Sequence, residues 1–187
     1  VINTKKNKKI KVLNFLKFSF DNNNIEDPQK KIINIIKSQF ISDVPIALSL
    51  SGGFDSNIIY YVMRNFLEKK KYNIYSFYFH DYEKFNSDFR VAKKNCKFFN
   101  DKINTVEVNH KDFQNNVENV TEILEEPISN QSAILNYLMA KNVKEKVIMN
   151  GDGGDEVFGG YDHYKSAYIL SSLSKVNIFK YFLQNDF

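Results

Sequence analysis

The sequence, 187 residues long, predicts an α/β fold in which a parallel β-sheet carries helices on both faces. Three observations predict it. From Pro28 onward, short apolar runs alternate with longer segments of helical period. The short runs are rich in Val, Ile, Phe and Tyr, residues that suit a pleated, buried surface. Finally, the 7 glycines fall in only two places, "SGGFDS" and "NGDGGDEVFGGY", each directly behind an apolar run, which is where such sheets open toward a ligand.

Residues 1–27 read as an N-terminal segment and linker. Positions 4–20 are Lys-rich with interspersed Ile, Val, Leu and Phe, as in one or two weak strands or the tail of a preceding domain. "DNNNIED" follows as a polar connection. Asp27 is placed to cap a helix whose first residue is Pro28 and whose apolar face is Ile32, Ile33, Ile35, Ile36 and Phe40. The domain proper then runs over 28–187. Val44–Leu50 reads as a buried strand, Ser56–Lys70 as a helix, Asn73–Phe79 as a strand and Ser87–Phe99 as a helix. Ile103–Val108 is the next strand, helical patterns occupy 110–124 and 131–144, Lys146–Met149 is a last short strand, and helical segments fill the remainder. The chain begins at Val1 and ends in the aromatic "FKYFLQNDF", so the expectation is a piece of a longer protein, truncated at its C-terminal side.

Composition narrows the function classes. Hydrophobic residues are 43% and charged residues 26%, ordinary for a globular domain. No apolar run reaches the roughly 20 residues of a membrane span. Cys96 is the only cysteine; it excludes a disulfide framework, reads as a small core residue, and fits a reducing, cytoplasmic setting. The net charge of +4 is carried almost wholly by lysine. Arg64 and Arg90 are the only arginines, whereas phosphate forks and base edges are usually read by Arg. No nucleic-acid partner is expected, and "KKNKKIK" (5–11) reads as a solvated face or flexible end. His110 and His163 show no metal-ligand spacing.

The two glycine loops carry the chemistry. In "SGGFDS", Gly52 and Gly53 leave the backbone open to phosphate oxygens, while the start of the next helix presents free N–H groups and a positive dipole end. Ser51 and Ser56 add hydroxyl donors. Asp55 repels an anion directly, but it suits a Mg²⁺ that bridges carboxylate to phosphate. The second loop offers Asp152, Asp155 and Glu156, without the spacing of an EF-hand. The economical reading is one site made by two loops: Asp55 and Asp155 share Mg²⁺ with a pyrophosphate, and Asp152 is left for substrate or proton work.

At these residues the chain resembles a known family. "SGGFDS" is similar to the pyrophosphate loop of the ATP pyrophosphatase (PP-loop) superfamily, whose fold is Rossmann-like and called adenine nucleotide α-hydrolase-like. The combination of "SDVPIALSLSGGFDS" with "NGDGGDEVFGGY", and "EEPISNQSAILNYLMAK" between them, is more specific. It resembles the C-terminal synthetase domain of glutamine-hydrolysing asparagine synthetases and their relatives, over roughly residues 28–170. The resemblance implies that Ser51, Gly52, Gly53, Asp55 and Ser56 bind the β,γ-pyrophosphate of ATP, with Asp55 and Asp155 on Mg²⁺. It implies nucleotide contacts at Ser49, Phe79, Asn150 and Gly151, and places Asp152 where the family often has a Glu acting on the acyl-adenylate.

The implied reaction is adenylation of a carboxylate, L-aspartate foremost, with pyrophosphate release, then attack by ammonia, free or from glutamine, to give asparagine and AMP. Alternatives are an amidotransferase acting on another acid such as a sugar uronate, a non-catalytic nucleotide-binding fragment, and an RNA-modifying relative. The family's glutaminase domain, with its leading cysteine, is missing from this chain, and residues 1–20 read as its tail. The family's transition-state lysine beyond the second loop is not identified here, so the fragment alone is expected to bind nucleotide without turning over. A homodimer is one candidate assembly. Glu125 and Glu126 are further candidates for the acid pocket, and Tyr72, Tyr75, Phe77, Tyr78 and Phe79 read as strand packing. His80, at the end of a strand, reads as a loop histidine or a neighbour of the adenine.

Overall fold

A computed structural model of the chain describes residues 27–68 and 72–173; the N-terminal segment 1–26, the "KKNKKIK" run, the end of the helix expected to reach Lys70 and the terminal "FKYFLQNDF" lie outside the described residues. Among the described residues four strands form one sheet: β1 (Ile46–Ser49), β2 (Tyr72–Phe79), β3 (Ile103–Val108) and β4 (Val147–Met149). All pairings are parallel, in the order β3-β2-β1-β4. The helices are α1 (Pro28–Ser38), α2 (Phe54–Phe66), α3 (Ser87–Phe98), α4 (His110–Leu124), α5 (Ser132–Asn142), α6 (Gly154–Phe158) and α7 (Asp162–Leu173), with a 3-10 turn at Glu83–Asn86.

The sheet is covered on both sides, as expected. Ile46, Leu48, Leu50, Tyr72 and Ile74 face Tyr60, Val62 and Met63 of α2 and Ala92 and Cys96 of α3, with Ile33 and Ile36 of α1 packed against them. On the other face Ala47, Tyr75, Val106 and Val108 meet Val120 of α4 and Ile134, Leu138 and Met139 of α5. Ala47 and Leu48, neighbours pointing opposite ways, are both at 0% exposure. That is why β1 reads as an unbroken apolar run rather than an alternating one. Each large side chain so buried contributes about 1.5–3 kcal/mol. Cys96 is one of these core residues, and Tyr72, Tyr75, Phe77 and Phe79 of the aromatic set pack in the two core layers.

Local chemistry sets the element ends. The Asp27 carboxylate accepts from the Gln29 N–H at 3.1 Å, with Pro28 at the first helical position, so α1 starts where its sequence placed it. Asn109 and Asp112 form a reciprocal capping box at the start of α4. Three expectations shift. β1 is shorter than Val44–Leu50 because Pro45 has no N–H for the ladder, although Leu50 still donates to the Tyr75 carbonyl at 2.8 Å. α2 begins at Phe54 rather than Ser56, with extended Gly53 as its cap, so Asp55 sits in the first helical turn. The second glycine stretch is not all loop: it winds into α6, which carries Asp155 and Glu156.

The chain builds β1, β2 and β3 outward and then returns through α4 and α5 to lay β4 on the opposite side of β1. Beyond the carboxyl ends of β1 and β4 the outgoing loops lie side by side, the second against the first turn of α2. A crevice opens there as a consequence of topology.

Candidate active site

Both glycine stretches leave the sheet at that crevice. Ser49, Ser51, Gly53, Asp55 and Ser56 from the β1 side, and Asn150, Gly151, Asp152 and Asp155 from the β4 side, line one cleft of about 590 Å³. Phe54, Asn136 of α5, Gly154, Phe158 and Gly160 complete its wall. Nine of the eleven residues singled out from sequence therefore come together. Gly52 and Phe79 do not line it.

The glycines have tertiary reasons beyond turning the chain. Gly52 has φ +98° and a Cβ on it would stand 2.1 Å from the Asp88 carbonyl oxygen, so the first loop is seated directly on the start of α3. A Cβ on Gly151 would stand 3.1 Å from the Ser56 N and 3.3 Å from the Asp55 Cβ, and one on Gly154 only 2.4 Å from the Asp55 Cγ. The second loop is thus packed against the first turn of α2 and lacks side chains where the Asp55 carboxylate needs space. Gly160 does the same for Asp155, whose Oδ1 lies 1.9 Å from where the Cβ would be.

The first loop is held by its own polar groups. Ser51 Oγ and Ser56 Oγ are 3.0 Å apart, the Gly53 N–H donates to Ser51 Oγ at 3.2 Å, and Ser56 Oγ donates to the Gly53 carbonyl at 3.1 Å. Across the cleft, Asn150 Nδ2 donates to Asp152 Oδ2 at 2.6 Å, and the Asp152 N–H donates back to Asn150 Oδ1 at 3.3 Å. Tyr161 donates its hydroxyl to Glu156 at 2.9 Å, which pushes the phenol up to about 12 and engages the third acid of this stretch outside the cleft.

The lining contains three carboxylates and no Lys, Arg or His. A polyanion entering such a cleft meets like charge unless a cation accompanies it. The donors are hard oxygens of carboxylates and hydroxyls, the set that suits Mg²⁺. Among the described residues no group of three or more Asp, Glu, His or Cys is disposed to hold a metal ion by itself. Two carboxylates with substrate phosphates and water match how Mg²⁺ is commonly held, and do not require such a cage.

Phe79 lies elsewhere. It borders a second, mainly aromatic cavity of about 580 Å³ with Tyr82, Phe85, His110, Phe113, Gln131 and Leu135. Its backbone is already engaged: the N–H donates to Asn86 Oδ1 at 2.8 Å and the carbonyl accepts from Asn86 Nδ2 at 2.9 Å. His80 pairs with Glu107 at 3.0 Å on the surface, and His163 stacks on Tyr161. Glu125, in the left-handed conformation at the end of α4, and Glu126 do not border the acidic cleft. Both arginines are paired within the chain, Arg64 to the buried Asp101 at 3.1 Å and Arg90 to Glu83 on the surface.

Sequence reasoning assigned no role to Asn57, Asn95 or Asn136. The first follows "SGGFDS" directly, and an Asn one turn after a glycine loop is a signal for backbone capping. Asn95 and Asn136 reach the site only through the packing of α3 and α5.

A family model described as asparagine synthase matches residues 29–184. The chain is 29% identical over 160 residues to a candidate glutamine-hydrolysing asparagine synthetase of Methanocaldococcus jannaschii, covering 81% of this chain and 29% of that protein. It is 26% identical over 154 residues to asparagine synthetase (glutamine-hydrolysing) 1 of Bacillus subtilis, covering 81% of this chain and 24% of that protein. The chain therefore spans less than a third of the length of these curated relatives. Among solved structures, a U34-tRNA thiolase of Methanococcus maripaludis aligns with a TM-score of 0.45 and 16% identity, over 85% of this chain and 54% of that one.

Proposed function

The chain belongs to the asparagine synthase family, and on that premise we propose that it is the ATP-binding part of an amide-forming ligase that adenylates a carboxylate, most simply L-aspartate, and passes the acyl group to ammonia. The observation that carries this reading is the cleft at the topological switch, which Asp55, Asp152 and Asp155 line together with the "SGGFDS" loop. A site shaped for pyrophosphate suits cleavage between the α- and β-phosphates, because it stabilises the group that leaves.

The roles follow from position. Ser51, Ser56 and the amides of the first loop hold the β,γ-pyrophosphate; an entering phosphate replaces the Ser51–Ser56 hydrogen bond with its own. Gly52 shapes that loop from outside the cleft. Asp55 and Asp155 would hold Mg²⁺, whose positive charge would offset the charge of the leaving pyrophosphate. Ser49, Asn150 and Gly151 border the nucleotide. Asp152, fixed by Asn150, is placed to accept a proton from the attacking amine as the acyl-adenylate breaks down. The carboxylate of the acid substrate attacks the α-phosphorus, and ammonia then displaces AMP from the mixed anhydride.

The full-length protein tests this by acid-dependent exchange of pyrophosphate into ATP. Exchange that requires L-aspartate and disappears in Asp55→Ala is the expected result. Exchange with a different acid would retain the ligase and change its substrate; Mg·ATP binding with no exchange for any acid would favour a non-catalytic nucleotide-binding role.

A further inference from the structure

We propose that Asn57 is a positioning residue of the first loop, tuned from α3 by Asn95, and that it sets preference for the pyrophosphate-bearing nucleotide over AMP; this rests on the ligase reading above. Asn57 Nδ2 donates to the carbonyls of Gly52 and Gly53, each at 2.8 Å. Its Oδ1 accepts from Asn95 Nδ2 at 2.8 Å, so the amide cannot flip without trading a donor for an acceptor at the loop. The side chain spends both its N–H groups on consecutive carbonyls and is half-buried where it does so.

The consequence follows from peptide geometry. In a trans peptide the carbonyl and the following N–H point in opposite directions. Turning the Gly52 and Gly53 carbonyls onto Asn57 directs the N–H groups of Gly53 and Phe54 the other way. The first of these donates to Ser51 Oγ, inside the cleft lining. The second belongs to the opening turn of α2, where amides have no intrahelical partner. The Gly53 carbonyl also accepts from the Asn57 N–H at 3.2 Å and from Ser56 Oγ at 3.1 Å, so the side chain acts chiefly at Gly52, where the clamp turns a partial negative charge away from the path of a polyphosphate. An AMP phosphate, lacking the β- and γ-groups, gains little from it. The anchor is also remote: Asn95 lies on α3 and does not line the cleft.

The test measures affinities of the full-length protein for Mg·ATP, Mg·pyrophosphate and AMP by calorimetry, with thermal unfolding as the check on folding. Asn57→Ala is expected to weaken Mg·ATP and Mg·pyrophosphate about tenfold, the worth of roughly two neutral hydrogen bonds, and to leave AMP within about twofold. Asn57→Ser, which can still donate one hydrogen bond to the carbonyl a turn back, should recover part of the loss. Asn95→Ala should give a smaller loss of the same selectivity, and none on top of Asn57→Ala. Equal weakening of ATP and AMP, or no weakening of either, would overturn the clamp while leaving the ligase reading intact. Failure of the unaltered protein to bind Mg·ATP or Mg·pyrophosphate would overturn the ligase reading and the clamp with it.

Discussion

Replacing Gly154 with alanine separates the position of the Asp55 carboxylate from the stability of the fold. Gly154 opens α6 and does not require a left-handed backbone, so on helix propensity alone alanine would stabilise by up to about 1 kcal/mol. The new Cβ, however, would stand 2.4 Å from the Asp55 Cγ, 2.5 Å from Oδ2 and 2.9 Å from Oδ1. Carbon atoms in contact sit about 3.5 Å apart, so the carboxyl group has to retreat by about 1 Å. It can do so, because Asp55 is only half-buried and its side chain rotates. Stability should therefore change by less than about 1 kcal/mol.

The site should not be so tolerant. A displacement of about 1 Å in a group that orients the reacting atoms can cost on the order of 100-fold in rate. Gly153→Ala is the matched control: nothing stands within 4 Å of its Cβ, but its φ is +92°, so it should lose about 1–2 kcal/mol of stability and leave exchange nearly unchanged. The assays are urea unfolding and acid-dependent pyrophosphate exchange on the full-length protein. Full exchange in Gly154→Ala, with Mg²⁺ dependence unaltered, would refute the assignment of Asp55 to the metal.

Other outcomes follow from the same packing. Gly52→Ala should cost about 3 kcal/mol or more, since its Cβ meets a backbone oxygen of Asp88 that cannot rotate away and its φ of +98° disfavours any L side chain; a urea midpoint close to that of the unaltered protein would count against the loop's seat on α3. Asn86 is buried and serves both backbone groups of Phe79, so Asn86→Ala should lose about 2–3 kcal/mol and Asn86→Asp at least as much, because a buried carboxylate oxygen would then face the Phe79 carbonyl and Glu83. Burial pushes the Cys96 thiol up from about 9 to about 11. A thiol reagent at pH 8 should leave it untouched until the protein unfolds. Because that value is raised in the folded state, its contribution to stability is complete below pH 9 and is lost as pH rises toward 11. Burial raises the Tyr60 hydroxyl in the same direction, so unfolding followed across this range should show a steep alkaline decline.

Much of the site was legible because its chemistry is local. "SGGFDS" and "NGDGGDEVFGGY" each supply hydroxyls, carboxylates and bare backbone within a few residues, and strand patterns ahead of them place both at one edge of the sheet. Phe79 was less legible. Its place at the end of β2 was readable, but Asn86, which engages its backbone, is seven residues further on and announced itself only through folding. The start of α2 was missed by one half-turn because glycine at position 53 serves as a cap without any side-chain signal.

Sequence alone determined the alternation of strand and helix, the two loops behind β1 and β4, and the acids that line the cleft, since each depends on periodicity, composition or spacing within one segment. Only the tertiary structure decided that β4 returns beside β1, that Gly151 and Gly154 leave room for Asp55, and that Asn95 anchors Asn57. Those facts join residues 38 to about 100 positions apart. Their cause is close packing between elements, which no single segment of the chain encodes.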